Sequence, residues 1–322
     1  MFNAPSQILD RPGRAATTMR ALVRQDGGIA LVEVATPICR ADDDVRIGVT
    51  TAGICRTDIY VAEGLIPVRE PRIIGHEFAG RVLEAGKESD FEVGDTVTVI
   101  PLMECGDCAS CEAGGACARP RFLGIEADGA FAEEIVVPAA NVRRVPPQVD
   151  PRHAAYTEPV AAAMAVLNAP LDRDGRGVVI GDNRIAALTM RILAVKGFDR
   201  VEQVSAKDWQ EHADRADFAI ETEATPQAFD AMLRVLRPGG LAILKSRPAG
   251  PVPFDVALAV RKGLVMQAVN YASFDSAIDL IASGQLHLED LLGPTYALED
   301  FEAAFAASDG YGAVKSFFSI SD

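Results

Sequence analysis

The chain reads as an α/β protein in two parts, a small β-barrel or partly open sheet followed by a parallel, doubly wound sheet. Three observations predict this. From about Arg20 to Arg144 the sequence breaks into short segments of period-2 alternation punctuated by glycine. After Pro159 the texture changes to strand, turn and helix in alternation. Finally, 322 residues leave room for about two domains of roughly 150 residues each.

The first part is carried by ALVRQDGGIALVEV (21–34), DDVRIGVTTAGI (43–54), EFAGRVLEAG (77–86), GDTVTVIP (94–101) and GAFAEEIVVP (129–138). Apolar residues alternate with polar ones in these runs, so one face of each can be buried while the other meets water. In the second part VAAAMAVLNA (160–169) is predicted to be a helix and GRGVVIGD (175–182) a buried strand ending in a turn. NRIAALTMRILAVKG (183–197) places apolar residues at helical spacing. A strand (ADFAIETE, 216–223), a helix (PQAFDAMLRVLR, 226–237), a Pro-Gly-Gly turn and a strand (LAILKS, 241–246) follow. The last stretch, 298–320, reads as a helix plus one strand.

Composition narrows the function. Hydrophobic residues make up 49% and charged residues 24%, which is the balance of a folded globular chain and excludes disorder as the main state. Lys+Arg total 31 against 46 Asp+Glu, a net charge of −15, so phosphate backbones and anionic membranes are repelled and nucleic acid is not an expected partner. Charge, Gly and Pro interrupt every apolar run before the roughly 18 residues of a bilayer helix. Residues 1–20 carry Asp10, Arg11 and Arg14 where a secretory signal would be apolar, and are expected to be an untemplated extension of a cytoplasmic protein.

Six cysteines in such a chain point to metal more than to disulfides. Cys105, Cys108, Cys111 and Cys117 form C-x2-C-x2-C-x5-C, four thiolates close enough to wrap one ion tetrahedrally and leave no position for substrate. A structural zinc is expected there; an iron-sulfur cluster or a pair of local disulfides are the alternatives. A second, dispersed set comprises Cys55 and the adjacent His76-Glu77 pair. One Cys, one His and a carboxylate from different loops make a three-ligand pattern that keeps a fourth position open, as a catalytic zinc requires. His153, His212 and His287 carry no such pattern.

The segments GICRTD, GHEFAGRVLEAG, VGDTVTV, the four-cysteine loop, LGIEADGAFAEEIVVPAANV and RPGGLAIL occur in this order from about Met19 to the C-terminus. Together they resemble the zinc-dependent medium-chain dehydrogenase/reductase family. The resemblance implies a GroES-like β-barrel catalytic domain formed by residues 1–158 and 271–322, and a Rossmann nucleotide-binding domain over 159–270. It also implies oxidation of an alcohol, or reduction of a carbonyl, with a nicotinamide cofactor and zinc. By the same resemblance Cys55 and His76 match the first two catalytic zinc ligands, and Glu77 matches a glutamate that can bind the metal or displace its water. The Tyr156-Thr157-Glu158-Pro159 segment is similar to the polyol, sugar and threonine dehydrogenase branch, which makes Glu158 the remaining metal ligand. Thr57 matches the hydroxyl that starts a proton relay, Tyr60 stands where relatives pass that proton outward, Asp58 matches the carboxylate that orients the zinc histidine, and Arg56 is placed to reach the cofactor pyrophosphate.

Three departures qualify the cofactor site. The glycine-rich turn reads Gly181-Asp182-Asn183-Arg184-Ile185-Ala186, so the first glycine is kept, Asn183 replaces the second, and Arg184 can offset the charge of Asp182. The strand RVEQVS (200–205) ends in Ser205 with Lys207 two residues on, where NAD's ribose would want a carboxylate, so NADP is favoured over NAD. Only about ten residues separate Ser205 from Ala216, so the Rossmann sheet is expected to be shortened.

The expected activity is hydride transfer between NAD(P) and a secondary alcohol or ketone of a small hydroxylated molecule such as a polyol, sugar or cyclitol, with two zinc ions, one catalytic and one structural. A homodimer or homotetramer is expected by analogy. The alternatives are a non-catalytic zinc-containing scaffold of the same fold, and an epimerase or eliminase that retains its nicotinamide cofactor.

Overall fold

The structure is a computed structural model that describes residues 17–310 and 314–321. The N-terminal extension expected over the first residues lies outside the described residues except for its last four.

The chain's strands are β1 (Thr18–Gln25), β2 (Gly28–Ala35), β3 (Asp44–Gly53), β4 (Arg72–Ile73), β5 (Glu77–Ala85), β6 (Thr96–Val99), β7 (Leu102–Met103), β8 (Arg121–Phe122), β9 (Glu134–Pro138), β10 (Val142–Arg144), β11 (Gly177–Ile180), β12 (Val201–Val204), β13 (Ala216–Glu221), β14 (Leu236–Leu244), β15 (Val265–Ala268), β16 (Leu292–Ala297) and β17 (Lys315–Ser319). Its helices are α1 (Arg56–Ala62), α2 (Ala109–Glu112), α3 (Pro151–Ala155), α4 (Thr157–Met164), α5 (Arg184–Val195), α6 (Pro226–Val235), α7 (Val256–Lys262), α8 (Phe274–Ala282) and α9 (Phe301–Ser308).

Among the described residues, the first part is a seven-stranded sheet of order β10-β6-β5-β3-β17-β16 with β9 also paired to β3, plus the smaller sheet β2-β1-β4. Strand β3 organises it. Register shifts at Arg46/Ile47 and Val49/Thr51 break its pairing with β5, while β9 pairs along Asp44–Gly48 and β17 along Thr51–Gly53. A bulged strand bends, so one strand can serve two sheet faces and curl the sheet towards closure. The curled face buries Leu22, Ile47, Val49, Phe78, Phe131 and Phe318 with their neighbours. Strand β17 brings the last residues of the chain against the first part, which places Lys315 beside Gly53.

The second part is a five-stranded parallel sheet of order β12-β11-β13-β14-β15. The strand GVVI of β11 is buried throughout, as expected of a parallel strand covered on both faces. Helix α5 buries Ala186, Leu188, Thr189, Ile192 and Leu193, and α6 buries Ala228, Ala231, Met232, Leu233 and Val235. In the usual doubly wound order 3-2-1-4-5-6 the strand missing here is the third, beyond β12. A single 3-10 turn, Trp209–His212, replaces the helix and strand that would build it.

Two boundaries differ from the sequence reading. The helix expected to run to Arg237 stops at Val235, and β14 begins at Leu236, pairing first with Ala216 and then, after an irregularity, Leu241 with Phe218. Pro238 disfavours helical backbone in the residue before it, so the Pro-Gly-Gly turn sits inside a strand and not before one. The helix expected over 160–169 runs from Thr157 to Met164 and finishes as a 3-10 turn, Ala165–Asn168. Elements α7, β15, α8 and β16 fill a region that carries no clear pattern in the sequence.

Candidate metal and cofactor cleft

A cleft of about 230 Å³ opens between the two sheets, walled by Cys55, Thr57, Tyr60, Glu77 and Lys315 on one side and by Glu158, Asn183, Arg184, Lys245 and Arg247 on the other.

Cys55 follows the end of β3 and serves as N-cap of α1. Asp58, at the third position of that helix, accepts the Cys55 backbone N–H at 2.8 Å through Oδ2. Its other oxygen lies 3.1 Å from Nδ1 of His76. This contact leaves Nε2 as the ring's metal-facing nitrogen. His76 sits between Gly75 and β5. At Gly75, with φ +98°, a Cβ would lie 2.4 Å from the Phe131 ring, so glycine is required there to deliver the histidine. The ring of Phe122 packs 5.0 Å from that of His76.

The donor atoms of Cys55, His76 and Glu77 all lie within 4.8 Å of one another. Burial pushes the Cys55 thiol up, yet the neighbouring His76 and Lys315 outweigh it and bring it down to about 6. Burial lowers the His76 imidazole, and Asp58 and Cys55 raise it well above its ordinary value. Glu77 is pushed up by burial to about 7 against the pull of Lys315. That lysine, 1% exposed, forms an ion pair with Glu77 and donates to the Ile54 carbonyl at 3.0 Å. A soft thiolate, an imidazole with its second nitrogen fixed, and a buried carboxylate form a donor set that fits zinc.

Glu158 lines the same cleft, 5% exposed, but stands outside that group of three. Its carboxylate accepts a hydrogen bond from the Tyr271 hydroxyl, and burial and the charge of Glu77 push its pKa up.

The four-cysteine loop closes on itself. Sγ of Cys108 and Cys111 are 3.4 Å apart, as are those of Cys105 and Cys117, and the sulfurs of all four lie within 4.8 Å of one another. These separations exceed the roughly 2.05 Å of a disulfide and suit four thiolates around one ion. Backbone N–H groups of Cys111 and Ala118 donate to Cys108 Sγ at 3.4 and 3.5 Å and bring its thiol down to about 6.

At the cofactor end, Gly181 closes β11 with φ +135°, and a Cβ there would lie 2.3 Å from Thr222 Oγ1. Asn183 caps α5: its Oδ1 accepts the N–H groups of Ile185 at 2.9 Å and Ala186 at 3.0 Å, and its Nδ2 donates to Thr222. The Asp182 N–H donates to Glu223 Oε1 at 2.8 Å. Arg56 lines the cleft and is tied to Asp309 through its carbonyl at 3.0 Å and its carboxylate at 3.2 Å. Ser205 and Lys207 follow β12, where the Ser205 hydroxyl accepts the Lys207 N–H at 3.3 Å; they are not among the residues walling the cleft.

The structure therefore gathers Arg56, Thr57, Tyr60, Glu158, Asn183 and Arg184 with the Cys55 group, and sets Ser205 and Lys207 apart. It also adds four residues that the sequence reading passes over: Lys315, Tyr271, Lys245 and Arg247. Lys315 had a visible signal, a lone lysine within an otherwise apolar C-terminal strand, where a charge must find a partner.

Among known proteins, the Alcohol dehydrogenase GroES-like domain family matches residues 41–147. The 2-dehydro-3-deoxy-L-galactonate 5-dehydrogenase of Pseudoalteromonas atlantica is 29% identical over 301 residues, covering 83% of this chain and 88% of that one. The L-threonine 3-dehydrogenase of Bacillus subtilis is 26% identical over 327 residues, covering 89% and 94%. The crystal structure of a zinc-binding dehydrogenase from Sinorhizobium meliloti 1021 bound to NADP shares the fold, with a TM-score of 0.84 at 24% identity over 94% of this chain and 99% of that one. Among the described residues no helix is long and apolar enough to cross a membrane.

Proposed function

The chain belongs to the zinc-dependent medium-chain dehydrogenase/reductase family, and on that premise we propose that it transfers a hydride between NAD(P) and a secondary alcohol or ketone of a small hydroxylated molecule. The observation that carries the reading is one cleft in which the Cys55, His76 and Glu77 donor atoms converge opposite the N-terminus of α5.

Cys55 and His76 would hold the catalytic zinc, with Glu158 or Glu77 as the carboxylate ligand, and Cys105, Cys108, Cys111 and Cys117 would hold a structural one. When bound, the metal acts as a Lewis acid on the substrate oxygen and the nicotinamide accepts or gives the hydride. The chain's own residues do the rest. Asp58 holds the His76 ring and the Cys55 backbone in place. The Thr57 hydroxyl, beside Cys55, takes up the proton that leaves the substrate oxygen, and Tyr60 carries it towards solvent. Lys315 keeps the Glu77 carboxylate compensated inside the protein. Arg56 and Arg184, both lining the cleft, would hold the cofactor's pyrophosphate, and Ser205 with Lys207, offering no carboxylate, would favour NADP over NAD.

The residues 1–158 and 271–322 form the catalytic unit in this reading and 159–270 the nucleotide-binding unit. The protein works in the cytoplasm, where the five thiols of the two metal groups stay reduced. It associates as a dimer or tetramer through β15, an edge strand that exposes Val265 and Met266.

A second reading, a binding protein of the same fold without turnover, draws on Asn183, which already occupies two N–H groups at the α5 terminus. Fluorescence titration of the zinc-loaded protein with NADPH and NADH separates the two. Saturable binding, tighter for NADPH, is expected; folded, nucleotide-free protein that binds neither would leave only the binding-protein reading. Glu158→Ala should lower both zinc content and turnover, and unchanged values for both would remove Glu158 as a ligand.

A further inference from the structure

Two cations stand in the cleft with no carboxylate in direct contact with either side chain among the described residues. Lys245 and Arg247 follow β14 and line the same cavity as Cys55, Glu77 and Glu158. The Lys245 ammonium has no hydrogen-bond or ion-pair partner among the described residues. Among the described residues the direct contacts of the Arg247 guanidinium are with neutral groups: Nη1 donates to the Tyr271 hydroxyl at 3.2 Å, Nη2 donates to Asn270 Oδ1, and the guanidinium lies 4.7 Å from the centre of the Tyr271 ring and 5.9 Å from that of Phe122.

The carboxylates nearby act on the two cations only at a distance, Glu158 foremost, and each is hydrogen-bonded elsewhere. Glu77 is paired with Lys315, Glu158 accepts from Tyr271, and Glu223 accepts the Asp182 N–H. Glu221, beneath the loop, accepts the backbone N–H groups of Lys245, Ser246 and Ala224. A dication at the Cys55 group would make this end of the cleft more positive still. Like charges two residues apart in a part-buried cavity repel, and Lys245 shows it: burial first, and Arg247 next, bring its pKa down to about 8. An arginine stacked on two rings, with donors to spare beyond two hydrogen bonds, is a preorganised receptor for a carboxylate or phosphate.

We infer that the substrate carries an anionic group, a carboxylate or a phosphate, which Lys245 and Arg247 bind beside the metal-ligand cluster. The inference rests on the dehydrogenase reading for the reaction and narrows its substrate from any polyol to an anionic one.

The test uses matched probes with the zinc-loaded protein: D-gluconate against D-glucitol for the carboxylate, and D-mannitol 1-phosphate and glycerol 3-phosphate against mannitol and glycerol for the phosphate. Calorimetry reads binding, and reduced-nicotinamide absorbance reads turnover. At least one anion is expected to bind about tenfold or more tighter than its neutral partner, with Arg247→Gln and Lys245→Gln each erasing about tenfold of that preference. Arg247→Lys should recover part of it, and thermal melts establish that each variant is folded. Which arm shows the preference identifies carboxylate or phosphate.

Anion-selective binding without any nicotinamide reduction would uphold the anion site and sink the dehydrogenase reading. Turnover of neutral polyols as efficient as that of the anions would do the reverse. A panel in which no anion is preferred, including one in which nothing binds, overturns the inference. So do variants that lose NADPH affinity while keeping the anion preference, since the two cations would then serve the cofactor's phosphates.

Discussion

Asp58 Oδ1 lies 3.1 Å from His76 Nδ1, and through its second oxygen the same carboxylate grips the backbone of Cys55, so one buried residue fixes two candidate metal ligands that are 21 positions apart in the chain. Asp58→Asn keeps the size of the side chain but removes its charge. Zinc affinity is expected to fall by about 10-fold to 100-fold. Competition with a chromogenic chelator measures it, and an unchanged affinity would mean that the His76 ring is oriented by other contacts.

The side chain of Asn183 does for helix α5 what a bound phosphate would do, by accepting the N–H groups of Ile185 and Ala186. Asn183→Gly should free those donors and lower the dissociation constant of NADPH by about tenfold. The cost in stability should be only a few tenths of a kcal/mol, because glycine is itself an acceptable N-cap. Titration and thermal melting read the two effects separately. A weaker nucleotide affinity in the variant would show that Asn183 contributes to the cofactor site.

Four thiolates around one ion would tie residues 105 to 117 together. Cys105→Ser is expected to reduce bound zinc from about two ions per chain to about one and to lower the melting temperature, because a structural zinc contributes folding energy outright. Elemental analysis and calorimetry report the two quantities. Two ions retained per chain would exclude the loop as a metal site.

Lys245 should make anion binding depend on pH. Its pKa of about 8 reflects burial and Arg247 on one side, opposed by Glu158, Glu221 and Cys55 on the other. An anion favours the protonated lysine, so affinity is full below about pH 8 and declines as pH rises through that value, with part retained because Arg247 stays charged. Affinity measured from about pH 6 to about pH 10 should show this inflection in the wild type and lose it in Lys245→Gln. An inflection that persists in the variant assigns the titration to another group.

Much of this was legible in the sequence because it is local. Period-2 alternation marks β3, β5 and β6, the helical spacing marks α5, and the cysteine loop and Cys55 announce themselves by ligand chemistry at short spacing. The remainder depends on long-range placement. Glu77 and Lys315 are 238 positions apart, and only the return of β17 onto β3 brings them together. Tyr271, Lys245 and Arg247 belong to no motif; they matter because the loop after β14 and the approach to α8 meet across the cleft from the barrel. Glu158 was visible as a residue, but its bond to Tyr271 was not.

Among the described residues no strand lies beyond β12, and this has a consequence for how copies of the molecule could add to one another. The five-stranded sheet has two free margins, and they are unlike. Along β12 the four-residue edge presents the exposed Glu202 and Gln203, whereas along β15 it presents Val265 and Met266. A sheet with two adhesive margins could extend without limit as a ribbon; with one margin polar, growth would stop once the other had found its own twin. Valency, and not strength of attachment, is what the shortened sheet would set: an assembly built through this sheet alone would close as a pair about a two-fold axis.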